Sequence, residues 1–327
     1  MKDVARMAGV SPMSVSRTLG NPESVSQDIR ERVRQVVEKS GYVPNRMAGS
    51  LSSSRTTLIA LIVPSLRNAL HAEMIQGISD VLLRHNFQLM ISDCGNSLEL
   101  EERLIRTYLE QQVCGIILHK TAHGSRTPAL IKAAGIPCVE TGNLVANPID
   151  MAVSYSNFEA SKAMAAHLLA SGYRRFAFVS LPLKHRERLT AMKRGFLSGL
   201  KAHGIKEEAV FQLETNAGME SGADAIEQIQ RRSRRTDAVF FAGDVLATGA
   251  LFECHRRGIK VPSDLAIAAS DDNEVHRNSF PTITSIGYPR YQIGVRSAEL
   301  IVERSSGAKG TAHREDVGFE IVRGGST

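Results

Sequence analysis

Short apolar runs alternate with longer amphipathic segments along most of the chain. The apolar runs have the length of β-strands and cover residues 58–63, 88–91, 115–118, 176–179, 238–241, 265–270 and 283–286. Between them, apolar residues recur with helical spacing at residues 73–83, 99–111, 158–169, 192–201, 222–232 and 247–256. Alternating strands and helices are typical of right-handed βαβ units, so we predict largely parallel sheets with helices on both faces.

This alternating region runs from residue 58 to residue 327, which is long for one sheet of this kind. We therefore predict two α/β subdomains with a cleft between them. In open parallel sheets, ligands bind beyond the carboxyl ends of the strands. Polar residues that directly follow the strands are therefore candidates for a ligand site.

Residues 1–44 follow a different pattern and predict three short helices. The helical segments cover residues 2–8, 12–19 and 27–40, and Gly9 and Gly41 can end the first and the third. Ser11 can cap the second helix, with Pro12 at its first position, where no hydrogen bond is lost. Two short helices joined by a tight turn form a helix-turn-helix unit, and the third helix completes its small core.

The second of these helices has two distinct sides. Val15 and Leu19 lie four residues apart, and we predict that both face inward. By the same spacing, the opposite side of the helix carries Pro12, Met13, Ser16 and Arg17.

Residues 45–57 are rich in serine and threonine and are interpreted as a linker. Residues 46–51 could form about one and a half helical turns. Gly49 lowers the stability of so short a helix by about 1 kcal/mol, so the helix needs a partner surface to form. The predicted organisation is a head at 1–44, a hinge helix and linker at 45–57, and a region of two subdomains at 58–327.

The basic charge of the chain is concentrated in its first part. Residues 1–57 hold nine Lys and Arg against five Asp and Glu, which gives +4 of the formal net charge of +6. Concentrated positive charge is typical of modules that bind polyanions such as nucleic acid. A solvated basic surface without a partner has the same charge, so charge alone leaves both interpretations open.

The sequence disfavours several other classes of protein. Its apolar runs are shorter than the roughly 18 residues of a membrane span, and no apolar export signal follows Met1, so we expect a cytoplasmic protein. Its four cysteines lack CxxC spacing, and no P-loop, GxGxxG, GxSxG or HExxH motif occurs. We expect no metal, no cofactor, no membrane partner and no enzymatic activity.

The motifs of the head, taken together, resemble those of a known family. They are Asp3-Val4-Ala5, Ala8-Gly9-Val10-Ser11, Val15-Ser16-Arg17, Gly41-Tyr42-Val43-Pro44-Asn45 and Ala48-Gly49-Ser50-Leu51. In this order they are similar to the DNA-binding head of the LacI (lactose repressor) family. Each motif is weak alone, but together they cover the whole head.

The resemblance implies that the second helix enters the major groove of double-stranded DNA. There Arg17 would read a base, since its guanidinium fork fits the O6 and N7 acceptors of guanine. Pro12 and Met13 hold the positions that vary base preference in the family. Ser16 and the arginines of the third helix would mainly contact phosphates.

The resemblance also implies a role for the hinge helix in the minor groove. This helix, with Asn45, Arg46 and Ala48, would pair with the hinge helix of a second protomer. Leu51 would be the apolar wedge that unstacks a base step. A packing role inside the protein is the alternative for Leu51.

The α/β region resembles the effector domain of the same family, which is itself similar to periplasmic sugar-binding proteins. The motifs include Ile59-Ala60-Leu61-Ile62-Val63-Pro64, Gly135-Ile136-Pro137, Asp244-Val245-Leu246-Ala247 and Asp271-Asp272. Details resemble the gluconate-repressor branch, namely Asp150-Met151-Ala152-Val153, Ser156-Asn157-Phe158-Glu159-Ala160 and Tyr288-Pro289-Arg290. The expected fold is a small all-α helix-turn-helix head with a hinge helix, followed by a two-subdomain α/β domain like a periplasmic binding protein.

This resemblance implies a set of effector contacts. Asp271 follows a predicted strand and would accept hydrogen bonds from ligand hydroxyls, while Arg188 and Arg290 could pair with a carboxylate. The weaker candidates are Ser65, Asn68, His71, Asn157 and Asp244. The ordinary alternatives are helix capping for Asp271, Asn157 and Asp244, solvation for the arginines, and loop polarity for residues 65–71.

These observations favour a homodimeric transcription regulator, a repressor that binds a pseudo-palindromic operator. Its effector would be a small sugar acid such as gluconate or a keto-gluconate. The alternatives are a sugar-binding transport protein and an α/β enzyme of sugar metabolism. The missing export signal disfavours the first, the missing catalytic motifs disfavour the second, and the basic helix-turn-helix disfavours both.

Overall fold

A small apolar core holds together three helices at the start of the chain. They are α1 (Lys2–Ala8), α2 (Pro12–Gly20) and α3 (Gln27–Ser40), as predicted. The core consists of Val4, Ala5, Ala8, Val15 and Val33. This head belongs to the first of two compact units, Met1–Thr57 and Leu58–Thr327. The computed structural model describes residues 1–43, 56–232, 236–307 and 313–327.

The prediction that Leu19 faces the core of the head is wrong. Leu19 is 36% exposed, whereas Thr18 is buried. Thr18 comes three residues after the buried Val15 and therefore lies on the same side of α2. The Thr18 hydroxyl donates to the Ser14 carbonyl oxygen at 2.8 Å, which satisfies the polar group in its buried position.

Among the described residues, two six-stranded sheets form the second unit. The first sheet contains β1 (Leu58–Val63), β2 (Gln88–Asp93), β3 (Gly115–Leu118), β4 (Cys138–Glu140), β5 (Met151–Ser154) and β11 (His313–Asp316). The second contains β6 (Phe176–Ser180), β7 (Phe211–Glu214), β8 (Ala238–Phe241), β9 (Ala266–Ala269), β10 (Thr284–Gly287) and β12 (Glu320–Val322). We call the layers around them the first and second subdomain.

The two sheets have corresponding strand orders. Their strand orders are β11-β5-β4-β3-β1-β2 and β12-β10-β9-β8-β6-β7. The paired strands are parallel, except for the antiparallel pair of β10 and β12. The predicted pair of largely parallel α/β subdomains is therefore confirmed. In each sheet the carboxyl ends of the central strands meet at one edge.

Helices cover both faces of each sheet. One face of the first sheet is covered by α4 (His71–Arg84) and α12 (Arg290–Ser305). The other face is covered by α5 (Leu98–Glu110) and α6 (Thr127–Ala134). One face of the second sheet is covered by α7 (Asn157–Ala170) and α8 (Glu187–Lys201), and the other by α9 (Met219–Arg232) and α10 (Asp244–Arg256). The short helix α11 (Glu274–Asn278) follows β9. Among the described helices, none combines the length and the hydropathy that a bilayer crossing requires.

The chain passes between the two subdomains three times, and each passage carries an aromatic side chain. Tyr155 lies between β5 and α7, Tyr288 between β10 and α12, and Phe319 between β11 and β12. The rings of Tyr155 and Tyr288 stack with centroids 4.2 Å apart, and Phe319 lies 6.5 Å from Tyr155. We call this group the hinge stack. It ties the three crossing segments into one packed unit.

Glycines allow α4 and α12 to pack with their backbones in close contact. A Cβ at Gly77 would stand far inside van der Waals distance of the Tyr291 carbonyl oxygen on α12. A Cβ at Gly294 would meet the Met74 carbonyl oxygen on α4 in the same way. Because both clashes are with backbone atoms, no side-chain rotation can relieve them.

We expect Gly294→Ala to destabilise the second unit by about 1–3 kcal/mol, since α12 must move away from α4. Urea unfolding followed by circular dichroism measures the loss. Gly124→Ala is the matched control, because the nearest atoms to its Cβ would be at an ordinary 3.8 Å. Equal stability of the two variants would show that the α4–α12 contact tolerates a methyl group.

Candidate functional site

The exposed side of α2 forms the candidate surface of the head. The Ser11 hydroxyl accepts a hydrogen bond from the Ser14 amide at 3.0 Å and so caps the first turn. Burial of Val15 fixes the rotation of the helix. The four side chains predicted from the sequence are all exposed, namely Pro12, Met13, Ser16 and Arg17. The head thus presents them together on a short, capped helix.

The arginines of α3 carry part of the positive charge of the head, and acidic neighbours offset some of it. Arg30 pairs with Glu23 at 2.9 Å, and Arg32 pairs with Asp28 at 2.8 Å. These pairs are exposed and contribute little to stability. The remaining predicted DNA contacts lie outside the described residues, namely Asn45, Arg46, Ala48 and Leu51.

A buried ion pair lies at the carboxyl ends of the strands in the second subdomain. Asp271 follows β9 and is 1% exposed, while Arg188 stands in the first turn of α8 with its side chain 27% exposed. The Arg188 guanidinium donates to Asp271 Oδ1. The Asp271 carboxylate also accepts hydrogen bonds from the Tyr288 hydroxyl at 2.9 Å and from the Ser270 hydroxyl at 2.7 Å.

The contacts of Asp271 decide its charge. Burial favours the neutral acid, but the charge of Arg188 and its hydrogen bond outweigh burial and hold the pKa of Asp271 well below its usual range. The carboxylate is therefore ionised at neutral pH, as is the guanidinium. The pair thus brings one anion and one cation into the site.

Arg290 is placed differently from Arg188. Its guanidinium donates to the Asp272 carbonyl oxygen at 2.8 Å, stands 4.3 Å above the centre of the Tyr288 ring, and lies 3.8 Å from Glu73. Arg290 is 5% exposed as a whole residue. Of the two arginines predicted to bind a carboxylate, Arg188 is therefore the one whose side chain is partly exposed.

Two histidines of the first subdomain face the ion pair. The Nδ1 of His71, at the start of α4, lies 2.9 Å from the Ser65 carbonyl oxygen. The Nδ1 of His119, which follows β3, lies 2.7 Å from Thr141 Oγ1, and the two rings meet edge to face at 4.7 Å. Burial lowers the pKa of both histidines, and the charge of Arg188 lowers it further. Both rings are therefore neutral at pH 7.

The loop residues Ser65 and Asn68 mainly organise their own loop. The Ser65 hydroxyl accepts from the Arg67 amide at 3.2 Å, and Asn68 Oδ1 accepts from the Leu70 amide at 3.0 Å. These bonds agree with the alternative interpretation, in which the polar groups of Ser65 and Asn68 serve the loop itself. The Ser65 carbonyl still orients His71 toward the cleft.

Asn157 and Asp244 stand at the first positions of α7 and α10. The side-chain nitrogen Nδ2 of Asn157 donates to the Gly142 carbonyl oxygen at 2.8 Å, and Asn157 Oδ1 has no hydrogen-bond partner within the described part of the chain. The Asp244 carboxylate accepts from Asn273 Nδ2 at 2.9 Å. Burial and the nearby Asp271 charge raise the pKa of Asp244. Asp244 therefore extends the acidic side of the site.

The sequence interpretation missed three aromatic residues of this site. Tyr155, Tyr288 and His119 each follow a strand directly, which is the signal that identified Asp271. The Tyr155 hydroxyl is buried and has no hydrogen-bond partner in the described ranges. In the same ranges, no three His, Cys, Asp or Glu side chains are arranged to hold a metal ion.

Comparisons with known proteins agree with this arrangement. Residues 1–45 match the family model described as bacterial regulatory proteins, lacI family, and residues 165–327 match the model of a periplasmic binding protein-like domain. The transcriptional regulator GntR of Escherichia coli is 35% identical over 326 residues, which cover 100% of this chain and 98% of that protein. The chain therefore belongs to the LacI family, whose members are DNA-binding transcription regulators and not enzymes.

Solved structures show the same fold over nearly the whole chain. A LacI-family regulator from Silicibacter pomeroyi is 29% identical with a TM-score of 0.92, covering 99% of this chain and 98% of that one. The lac repressor dimer bound to operator and an anti-inducer is 22% identical with a TM-score of 0.85, covering 99% and 97%. In this family the head binds operator DNA and the periplasmic-binding-protein-like domain binds an effector.

Proposed function

We propose that α2 lies in the major groove of the operator and that its exposed side reads the bases. Arg17 forks onto a guanine, Pro12 and Met13 set preference at neighbouring positions, and Ser16 contacts a phosphate. The exposure of all four residues on one capped helix supports this assignment. Because the function depends on DNA, we place the protein in the cytoplasm.

We expect Arg17→Ala to weaken binding by about 1–3 kcal/mol per half-site and to relax preference at one base pair. The wild type first selects its sequence from a pool of random DNA duplexes, and the variant is then compared on that sequence and on single-base changes. Arg34→Ala is the control, since a phosphate contact weakens binding to every sequence equally. If Arg17→Ala also weakens all sequences equally, Arg17 is a phosphate contact.

The linker extends the proposed DNA contact into the minor groove. By the family resemblance, Asn45, Arg46 and Ala48 belong to a hinge helix that pairs with its counterpart in a second protomer, and Leu51 is inserted between base pairs. The corresponding domain boundaries are 1–44 for the head, 45–57 for the hinge and 58–327 for the effector-binding and dimerisation domain.

The proposed homodimer has a candidate interface on the second subdomain. Val245 and Phe252 are exposed and lie seven residues apart, on one side of α10, and α10 contacts α11, which exposes Val275. Phe280 follows α11 and is 88% exposed. Exposed apolar groups of this kind are typical of subunit interfaces. A two-fold dimer would require a pseudo-palindromic operator.

We expect Phe280→Asp to shift the protein from dimer toward monomer, because a carboxylate would be buried without a partner in the interface. Sedimentation velocity at micromolar concentration measures the mass. Met219→Asp, an exposed apolar residue of α9, should leave the dimer intact. A dimer that survives Phe280→Asp unchanged would place the interface elsewhere.

We propose that the effector is a small sugar acid such as gluconate or a keto-gluconate. The observation that carries this proposal is the partly exposed side chain of Arg188, whose guanidinium lies beside the ionised Asp271. The guanidinium can bind a carboxylate in bidentate fashion, and Asp271 can accept hydrogen bonds from hydroxyls. Arg290 donates to the Asp272 carbonyl oxygen and lies over the Tyr288 ring, and it adds positive charge next to the site. The neutral His71 completes the opposite wall.

Ligand binding in this site would act on the hinge stack between the two subdomains. A sugar acid that pairs with Arg188 changes the hydrogen bonds of Asp271, and Asp271 is bonded to Tyr288 of the hinge stack. The ligand would therefore favour one relative orientation of the two subdomains over another. We propose that the protein is a repressor whose operator affinity follows this orientation.

Calorimetry with gluconate and with its neutral parent, glucose, tests the effector. We expect wild type to prefer gluconate, and Arg188→Ala to weaken gluconate binding roughly ten- to a hundredfold, through loss of a charge-assisted pair of about 1.5–3 kcal/mol. Arg194→Ala, exposed on the same helix, is the matched control. Operator binding without ligand should be the same in all three proteins.

Two results would contradict the sugar-acid proposal. One is equal binding of glucose and gluconate by wild type, because the cation would then confer no preference for an acid. The other is unchanged gluconate affinity in Arg188→Ala. If only Arg290→Ala binds gluconate more weakly, Arg290 and not Arg188 binds the carboxylate.

A further inference from the structure

A cluster of buried charged side chains lies in the first subdomain, away from Arg188 and Asp271. His123, in the segment between β3 and α6, connects two carboxylates: its Nδ1 lies 2.8 Å from Glu101 Oε1 of α5, and its Nε2 lies 3.2 Å from Glu140 Oε1 of β4. The side chains are between 1% and 6% exposed. We call this arrangement the histidine bridge. The fourth member is Lys120, whose Nζ lies 3.8 Å from Glu101 Oε2.

The geometry of the bridge fits a protonated imidazole. Both partners of His123 are carboxyl oxygens, and an ionised carboxylate only accepts hydrogen bonds, so both ring nitrogens donate when Glu101 and Glu140 are ionised. Protonated His123 and Lys120 then balance the charges of Glu101 and Glu140. Loss of the proton would leave a buried negative charge without compensation and would break one of the two hydrogen bonds, which is costly in a buried position.

The bridge and the effector cleft lie on opposite faces of the same two strand ends. Consecutive residues of a strand point to opposite faces. After β3, His119 points toward His71 in the cleft, and the next residue, Lys120, points toward the bridge. At the end of β4, Glu140 belongs to the bridge, and the next residue, Thr141, bonds the ring of His119 at 2.7 Å.

We propose that His123 is a positioning residue for the effector cleft: by joining α5, β4 and the segment after β3 on one face of the sheet, it fixes His119 and Thr141 on the other. This inference rests on the proposed function, since it concerns the wall of the same cleft. The bridge holds the ends of β3 and β4 in register, and the ring of His119 keeps its edge-to-face contact with His71 as a result.

The bridge sets a pH window for this effect. Burial lowers the pKa of His123, but the hydrogen bonds and charges of Glu101 and Glu140 outweigh burial and raise the pKa to about 9. A raised pKa means that the bridge stabilises the fold fully below about 6.5, the value in the unfolded chain, and that this contribution is lost as pH rises through about 9. Of the neighbouring titratable groups, Cys94 and Cys138 have pKa values raised by burial and stay neutral thiols in this window.

Histidine-selective NMR on the full chain, labelled with ¹³C at histidine, tests the proposal between pH 6 and 10. In wild type, the ring signal of His119 should shift with a midpoint near 9, although the pKa of His119 itself is lowered by burial. In His123→Gln this step should vanish. In Glu140→Gln the step should move to lower pH, because loss of one carboxylate lowers the pKa of His123 by about 1–3. Glu140→Gln also serves if His123→Gln fails to fold.

Gluconate, as the probe ligand, provides the second measurement. Wild-type affinity should fall about tenfold from pH 7 to pH 10, whereas His123→Gln should bind about tenfold more weakly at pH 7 and with little dependence on pH. His85→Gln, an exposed histidine at the end of α4, is the matched control and should behave as wild type in both measurements.

The outcomes separate the two proposals. If wild type binds no gluconate, the proposed effector is wrong, and the His119 signal alone decides the role of His123. If the His119 signal shows no step near pH 9, or the same step in His123→Gln, the bridge does not position the cleft wall. If the bridge merely stabilises the fold, its loss in His123→Gln would lower the unfolding midpoint without changing the His119 signal, and that result overturns the proposal as well.

Discussion

The ion pair of Arg188 and Asp271 is the interaction on which the rest of the effector domain depends. Asp271 is almost fully buried, and its carboxylate is held by groups from the end of β9, from α8 and from the crossing segment that carries Tyr288. Burying a carboxylate is costly unless such partners compensate it. The position of α8 and the packing of the hinge stack therefore follow from the need to keep one anion paired.

The two candidate surfaces of the protein differ in how they treat polar groups. The α2 surface is exposed, keeps its polar groups in water, and needs only a fixed helix orientation, which burial of Val15 provides. In the cleft, Asp271, Arg290 and His71 are buried, and in a buried position a hydrogen bond is strong and a missing one is costly. The buried Tyr155 hydroxyl and the Oδ1 of Asn157, both without partners among the described residues, are consistent with a site that a polar ligand completes.

Much of the fold could be predicted because the central strands are continuous apolar runs. The bounds of β1, β3 and β8 agree with the prediction, whereas the polar edge strands β11 and β12 carry no such signal. Position and resemblance predict Asp271 and Arg188 as candidates for the site. The contact between them, the hinge stack and the histidine bridge could not be predicted, since each joins residues that are far apart in the sequence. Leu19 was misplaced because Thr18 satisfies its own hydroxyl through the Ser14 carbonyl.

The three crossing segments also determine the order in which the sheets can be completed. Residues 155–288 build five strands of the second sheet before β11 is added to the first, and β12 is added last. During synthesis on the ribosome, β5 and later β10 therefore remain open edges, each with unpaired backbone groups that another chain could bind. Neither subdomain is a continuous stretch of sequence, so an interrupted translation product that ends before residue 313 leaves both sheets with an open edge.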